Sequence, residues 1–178
     1  MKVQAIRLCA AALAAAALAG CGANYRWRPS APADMRTVAV PTFRNESDLQ
    51  EAGAVASRQI LREFQREGTF KIRSTDDAAL EVQGTVLSVY AGEAAYDRRS
   101  GLRISGYAAT GVFAVTVVDR RRSAILIDNR TYRAEATYAG GQDATTSLRN
   151  AAGRLCEDLA RQVVDDVLNL KWEKEKKK

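Results

Sequence analysis

The stretch Val112–Ala134, VFAVTVVDRRRSAILIDNRTYRA, sets two β-rich runs on either side of five residues, Asp119 to Ser123. Strands joined this closely run antiparallel, because a parallel pair needs a crossover of about a dozen residues or more. The first run, Val112 to Val118, is apolar at every position except Thr116. A two-sided apolar run is expected of a central strand covered above and below. The centre of the fold is therefore predicted to be an antiparallel hairpin.

Upstream, the first run begins at Leu102 as LRISGYAATGVFAVTVVD, after a polar loop at Gly92–Gly101. Before that loop, ALEVQGTVLSVYA (Ala79–Ala91) alternates and puts Leu80, Val82, Val86 and Tyr90 on one face. Gly84 within it marks a bulge or a close approach. Phe70–Arg73 reads as a short strand and Ser74–Asp77 as a turn. From Leu49 to Glu67, Ala52, Val55, Ala56, Ile60 and Phe64 recur at intervals of three and four, and Gly68 follows where a helix C-cap glycine belongs. Ser47 or Asp48 is the expected N-cap. Arg36–Phe43, RTVAVPTF, is a strand whose end lies at an edge or bulge because of Pro41.

Downstream of the hairpin turn, Ala124–Ala139 continues the sheet and GGQD (Gly140–Asp143) ends it. Asp143 then caps a final helix whose apolar stripe is Leu148, Ala152, Leu155, Leu159, Val163, Val167 and Leu170. The order β-α-β-β-β-β-α does not alternate as a parallel α/β fold would. The predicted class is α+β, with two amphipathic helices on one face of a mostly antiparallel sheet of about four to five strands. Leu87, Val89 and part of the group Phe113, Val115, Ile125 and Ile127 are then expected on the opposite face. Either the sheet curls over this apolar surface or the surface meets a partner.

The N-terminus reads differently. Lys2 and Arg7 form a basic head, Leu8–Leu18 an apolar core, and Leu18, Ala19, Gly20 and Cys21 a small-residue close. The apolar run is too short and too alanine-rich for a spanning helix, which needs roughly 20 apolar residues. LAGC has the form of a lipobox, the signal of bacterial lipoproteins, which implies cleavage before Cys21 and acylation of Cys21. Two or three acyl chains anchor stably where one does not. Residues 1–20 are thus expected to be a signal peptide, 21–34 a lipidated tether, 35–170 the folded domain and 171–178 a basic tail. The tether carries Pro29 and Pro32, with Tyr25 and Trp27 flanked by Arg26 and Arg28.

The chain has 27 Lys and Arg against 21 Asp and Glu; losing Lys2 and Arg7 leaves 25 against 21, a charge of +4. Much of that excess lies in the tail KWEKEKKK, so the domain itself has no concentrated basic face of the kind nucleic-acid binding needs. Histidine is absent, which removes Ser-His-Asp hydrolysis, His-activated thiols and most zinc sites. Cys9 leaves with the signal and Cys21 is acylated, so Cys156 has no disulfide partner and is read as a small core residue. Neither a catalytic residue, nor a metal site, nor a cofactor is expected.

Several local patterns recur together: the lipobox with Gly22 and NYRWRP, RTVAVPTFRNESD before the first helix, FQREGTFKI at its end, ALEVQGTVLSVY, and VTVVDRRRSAILIDNRTYRAEATY before the last helix. In this arrangement the chain resembles the LptE family of lipopolysaccharide-assembly lipoproteins, over almost the whole length after the signal. The resemblance implies a lipid-anchored protein on the periplasmic side of the outer membrane. It would be a plug and assembly partner of an LptD-like β-barrel, passing lipopolysaccharide to the surface. Gly22 after the acylated cysteine favours the outer membrane under the same resemblance. Lipopolysaccharide offers phosphates and acyl chains, and guanidinium groups bind phosphate in a planar fork. Arg98, Arg99 and Arg103 around the polar loop, and Arg120, Arg121 and Arg122 in the hairpin turn, are the candidate contacts with lipopolysaccharide or the barrel. The opening VAVPTF is shared with another class, periplasm-facing adaptor or regulator lipoproteins that activate a peptidoglycan synthase or build a secretion complex.

Overall fold

The computed structural model describes residues 31–96, 104–138, 144–170 and 172. Three long strands dominate it: β4 (Leu80–Tyr96), β5 (Ile104–Asp119) and β6 (Ala124–Tyr138). They pair antiparallel in the order of the chain, joined between β5 and β6 by the short turn that the sequence predicts. Three short strands complete the sheet: β1 (Thr37–Ala39), β2 (Arg44–Asn45) and β3 (Lys71–Ile72). These pair parallel, β1 with both β3 and β4, and β2 with β4.

The α+β class holds, while the sheet is mixed and has six strands in the order β3-β1-β4-β5-β6, with β2 also beside β4. The strand expected over Arg36–Phe43 is cut to β1, and β2 follows only after it, at Arg44. Pro41 has no N–H to give, and the Phe43 N–H leaves the ladder for the Ser57 hydroxyl at 2.8 Å. The polar loop expected from Gly92 does not begin there, because β4 runs on to Tyr96; β5 starts at Ile104, two residues after the expected Leu102, and residues 97–103 lie outside the described residues.

Helix α1 (Ala52–Glu67) provides the crossover between parallel β1 and β3. Its Ala52, Ala56, Ile60 and Phe64 are buried, and it stops at Gly68 (φ 82°), whose N–H bonds the Phe64 carbonyl. The helix begins three residues later than Leu49, and neither Ser47 nor Asp48 caps it. Ser47 instead donates its hydroxyl to Asn45 Oδ1 at 2.7 Å, and the cap position is Glu51, without a side-chain bond. Helix α2 (Ala144–Leu168) buries Ala152, Leu155, Leu159, Val163 and Val167 along the expected stripe. Leu170 lies beyond its end, partly buried, and Asp143 lies outside the described residues.

Both helices cover the same sheet face, and β5 shows the consequence residue by residue. Gly111, Phe113, Val115 and Val117 are buried, whereas Val112, Ala114, Thr116 and Val118 are half-buried. The central strand is therefore not covered on both sides. Val89, Phe113, Val115 and Ile127, expected in part on the opposite face, lie inward. In β4 the cause is a register shift between Val86 and Ser88: Val86 pairs with Phe113, but Ser88 pairs with Val112. One inserted residue exchanges the two faces. Val89 turns inward at 8% exposure, and Tyr90, expected inward, is 43% exposed.

Candidate functional site

The uncovered sheet face is defined by register, since residues paired directly across antiparallel strands point to the same side. Its rows are Gln83–Thr116, Thr85–Ala114–Thr131, Ser88–Val112–Arg133 and Tyr90–Thr110–Glu135. Hydroxyls, amides and small side chains dominate, and an Arg133 N–H donates to the Tyr90 hydroxyl at 3.3 Å. A shallow hollow of about 310 Å³ opens on it beside Thr42, Arg44, Gln83, Thr85 and Asn129. Along these rows the open face is mostly hydrophilic; towards the Asp119 turn Val118 pairs with Ile125, 59% exposed, and the face becomes apolar there. The signal in the sequence was the size difference in the middle of β5, over Phe113–Val117, where Phe113, Val115 and Val117 share one parity and the smaller Ala114 and polar Thr116 the other; Val112 and Val118 on the second parity mask it.

The hairpin turn is built on Asp119, which is 1% exposed and accepts the backbone N–H groups of Arg121 (2.9 Å) and Arg122 (3.1 Å). Ser123 closes the turn with φ 52°. The three arginines are tethered to carboxylates: Arg120 to Glu81, Arg121 to Asp34 at 3.8 Å and Arg122 to Asp119 at 4.0 Å. Burial by itself would raise the Glu81 carboxyl, but hydrogen bonds from Gln83 and Arg120 and the Arg120 charge hold it below the usual carboxylate range. Folding thus favours its ionised form, a contribution present above the ordinary value and lost as the pH falls through the lowered one.

Arg98, Arg99, Arg103 and Cys21 lie outside the described residues. Residues 97–103 connect Tyr96 to Ile104, which pair at the far end of the β4–β5 hairpin from the Asp119 turn. With a strand rise of about 3.3 Å, fifteen residues separate the two ends by roughly 50 Å.

At the other edge of the sheet, the Tyr132 hydroxyl donates to Asp166 of α2 at 2.7 Å, and Arg130 pairs with the same carboxylate at 3.0 Å. Burial, then the Asp166 hydrogen bond and charge, push the Tyr132 hydroxyl well above the usual phenol range. The group fastens α2 to the β6 edge strand. Burial also pushes the Cys156 thiol up to about 12, and its side chain is 1% exposed. A thiolate is the reactive form, so native Cys156 is inert. A thiol reagent at mildly alkaline pH is expected to leave it unmodified until denaturant is added, as read by peptide mass; ready labelling of the native protein would contradict its burial.

A mixed sheet with both helices on one face and a hydrophilic face left open belongs to the two-layer α+β class. The chain is a member of the LptE family: the lipopolysaccharide-assembly family model matches residues 35–167. No curated protein matches the sequence. Its fold is similar to that of a protein from Caulobacter crescentus CB15 described as a candidate lipoprotein (TM-score 0.50, 13% identity, 74% of this chain and 87% of that one). It is also similar to a protein from Xanthomonas campestris (TM-score 0.51, 13% identity, 78% and 89%). At these identities the likeness concerns the fold.

Proposed function

We propose that this chain is a non-enzymatic outer-membrane lipoprotein that serves as plug and assembly partner of an LptD-like β-barrel in lipopolysaccharide transport. The observation that carries the reading is the family match over residues 35–167, which takes in both helices except the last residue of α2 and all six strands. Cys21 bears the acyl chains and holds the domain on the periplasmic side. The hydrophilic sheet face supports the reading, because hydroxyl and amide rows suit contact with the polar lumen wall of a barrel. Arg98, Arg99 and Arg103, together with Arg120, Arg121 and Arg122 of the hairpin turn, are the proposed contacts with lipopolysaccharide phosphates or the barrel.

Mild detergent extraction of native membranes followed by affinity purification is expected to recover the chain with a large outer-membrane barrel. Recovery as a free monomer would overturn the partnership. Cys21→Ala is expected to abolish acylation and shift the protein out of the membrane fraction. If that variant still fractionates as a lipid-modified outer-membrane protein, the anchor has been misassigned.

A further inference from the structure

We propose that the end of the domain formed by Ala31, the Arg120–Arg122 turn, Ile125 and Trp172 is a membrane-facing pole that binds anionic phospholipid headgroups of the leaflet holding the anchor. This rests on the acylation of Cys21 proposed above, adds an orientation to it, and assigns the Arg120–Arg122 contact to phospholipid in place of lipopolysaccharide or the barrel. The chain joins the domain here. Ala31 and Met35 are each 2% exposed, the Arg36 Nε–H donates to the Ala31 carbonyl at 2.8 Å, and Asp34 pairs with Arg121. Ala31 is ten residues beyond Cys21, and ten residues span at most about 33–36 Å even when fully extended. The acyl chains therefore keep this end within that distance of the headgroups, whichever way the rest of the domain points.

The chemistry of this end fits that location. The carboxylates of Glu81 and Asp119 are withdrawn, with side-chain exposures of 8% and 2%, while Arg120, Arg121 and Arg122 remain 39%, 54% and 44% exposed. The turn thus presents its guanidinium groups while the carboxylates of Glu81 and Asp119 are hidden. Beside them Ile125 is 59% exposed, the most exposed large apolar residue among those described. Ile125, Arg122, Met35 and Trp172 border one hollow of about 390 Å³, and Trp172 leans on Phe70 with ring centres 6.4 Å apart. An exposed aliphatic side chain amid arginines, over a partly buried indole, is a composition that suits a bilayer interface, where the cations meet phosphate and the aliphatic group enters the acyl boundary. Anionic lipid attracts such a cluster over about a Debye length, within the reach the tether enforces.

The test uses the full acylated protein reconstituted in vesicles of phosphatidylcholine alone, of equal parts phosphatidylcholine and phosphatidylglycerol, or of phosphatidylcholine with lipopolysaccharide. An environment-sensitive fluorophore is attached at Ile125→Cys, or at the exposed Thr137→Cys towards the other end; buried Cys156 does not compete for the label. Label 125 is expected to gain about threefold in emission on phosphatidylglycerol vesicles relative to phosphatidylcholine, as transfer to an apolar interface implies, with label 137 unchanged. High salt, or Arg121→Glu with Arg122→Glu in a protein whose melting temperature is unchanged, should remove most of the gain. A silent label 125 on bound protein, or equal gains at both positions, overturns the pole. A response to lipopolysaccharide but not to phosphatidylglycerol overturns the phospholipid assignment in favour of lipopolysaccharide. If the protein does not associate with vesicles and the mass of Cys21 is unmodified, the anchor fails and the pole with it.

Discussion

Phe113→Ala is expected to destabilise the domain by about 3–5 kcal/mol, the range for truncating a fully enclosed phenylalanine. Phe113 has no exposed surface and sits mid-sheet, paired with Val86 of β4 on one side and Tyr132 of β6 on the other. Its ring lies over Gly111, where an added Cβ would come within 2.6 Å of it. The paired strands on either side are held by their ladders and close in only partly, so the cavity persists and its cost adds to the lost burial. Against a total stability of roughly 5–15 kcal/mol, the variant would be marginal at ambient temperature. Urea titration followed by circular dichroism gives the number; a loss under about 1 kcal/mol would mean that Phe113 is not enclosed as described.

Gly84→Val should cost about 3 kcal/mol, although the general rule has the opposite sign. Replacing an interior strand glycine by a β-branched residue usually gains roughly 0.5–1 kcal/mol. Here the Phe43 ring, 3% exposed, occupies the space a Cβ on residue 84 would need. Valine must expel that ring or push β4 from α1, and overpacking of this kind costs about 1–3 kcal/mol, with lost Phe43 burial in addition. The pair is therefore coupled. Phe43→Ala with Gly84→Val should be less destabilised than the sum of the two single variants by about 1 kcal/mol or more. Additive losses, or a stabilised Gly84→Val, would contradict the contact.

These variants probe sites whose legibility in the sequence differs. The hairpin turn, the helix stop at Gly68 and the stripe of α2 are local patterns, and the structure contains them as read. Gly84 was readable as a bulge or a close approach; the nearby bulge lies between Val86 and Ser88, and Gly84 is the close approach. Arg120, Arg121 and Arg122 were recognisable as a basic turn, but their carboxylate partners were not. Glu81 and Asp34 are 39 and 87 residues away along the chain from Arg120 and Arg121. Those partners turn a loose basic loop into one with oriented guanidinium groups.

The residues by themselves determined the α+β class, the antiparallel core, the two amphipathic helices and the lack of histidine chemistry. Each of these depends on side-chain period, on turn residues or on composition, which act over a few positions. Only the tertiary structure decided which sheet face is left open and what lines it. A period of two states that neighbours oppose each other, not which side meets the helices, and the register shift after Val86 reverses the answer partway along β4. The parallel pairing of β1, β2 and β3 is likewise tertiary, because short strands acquire partners through the α1 crossover and not through any pattern of their own.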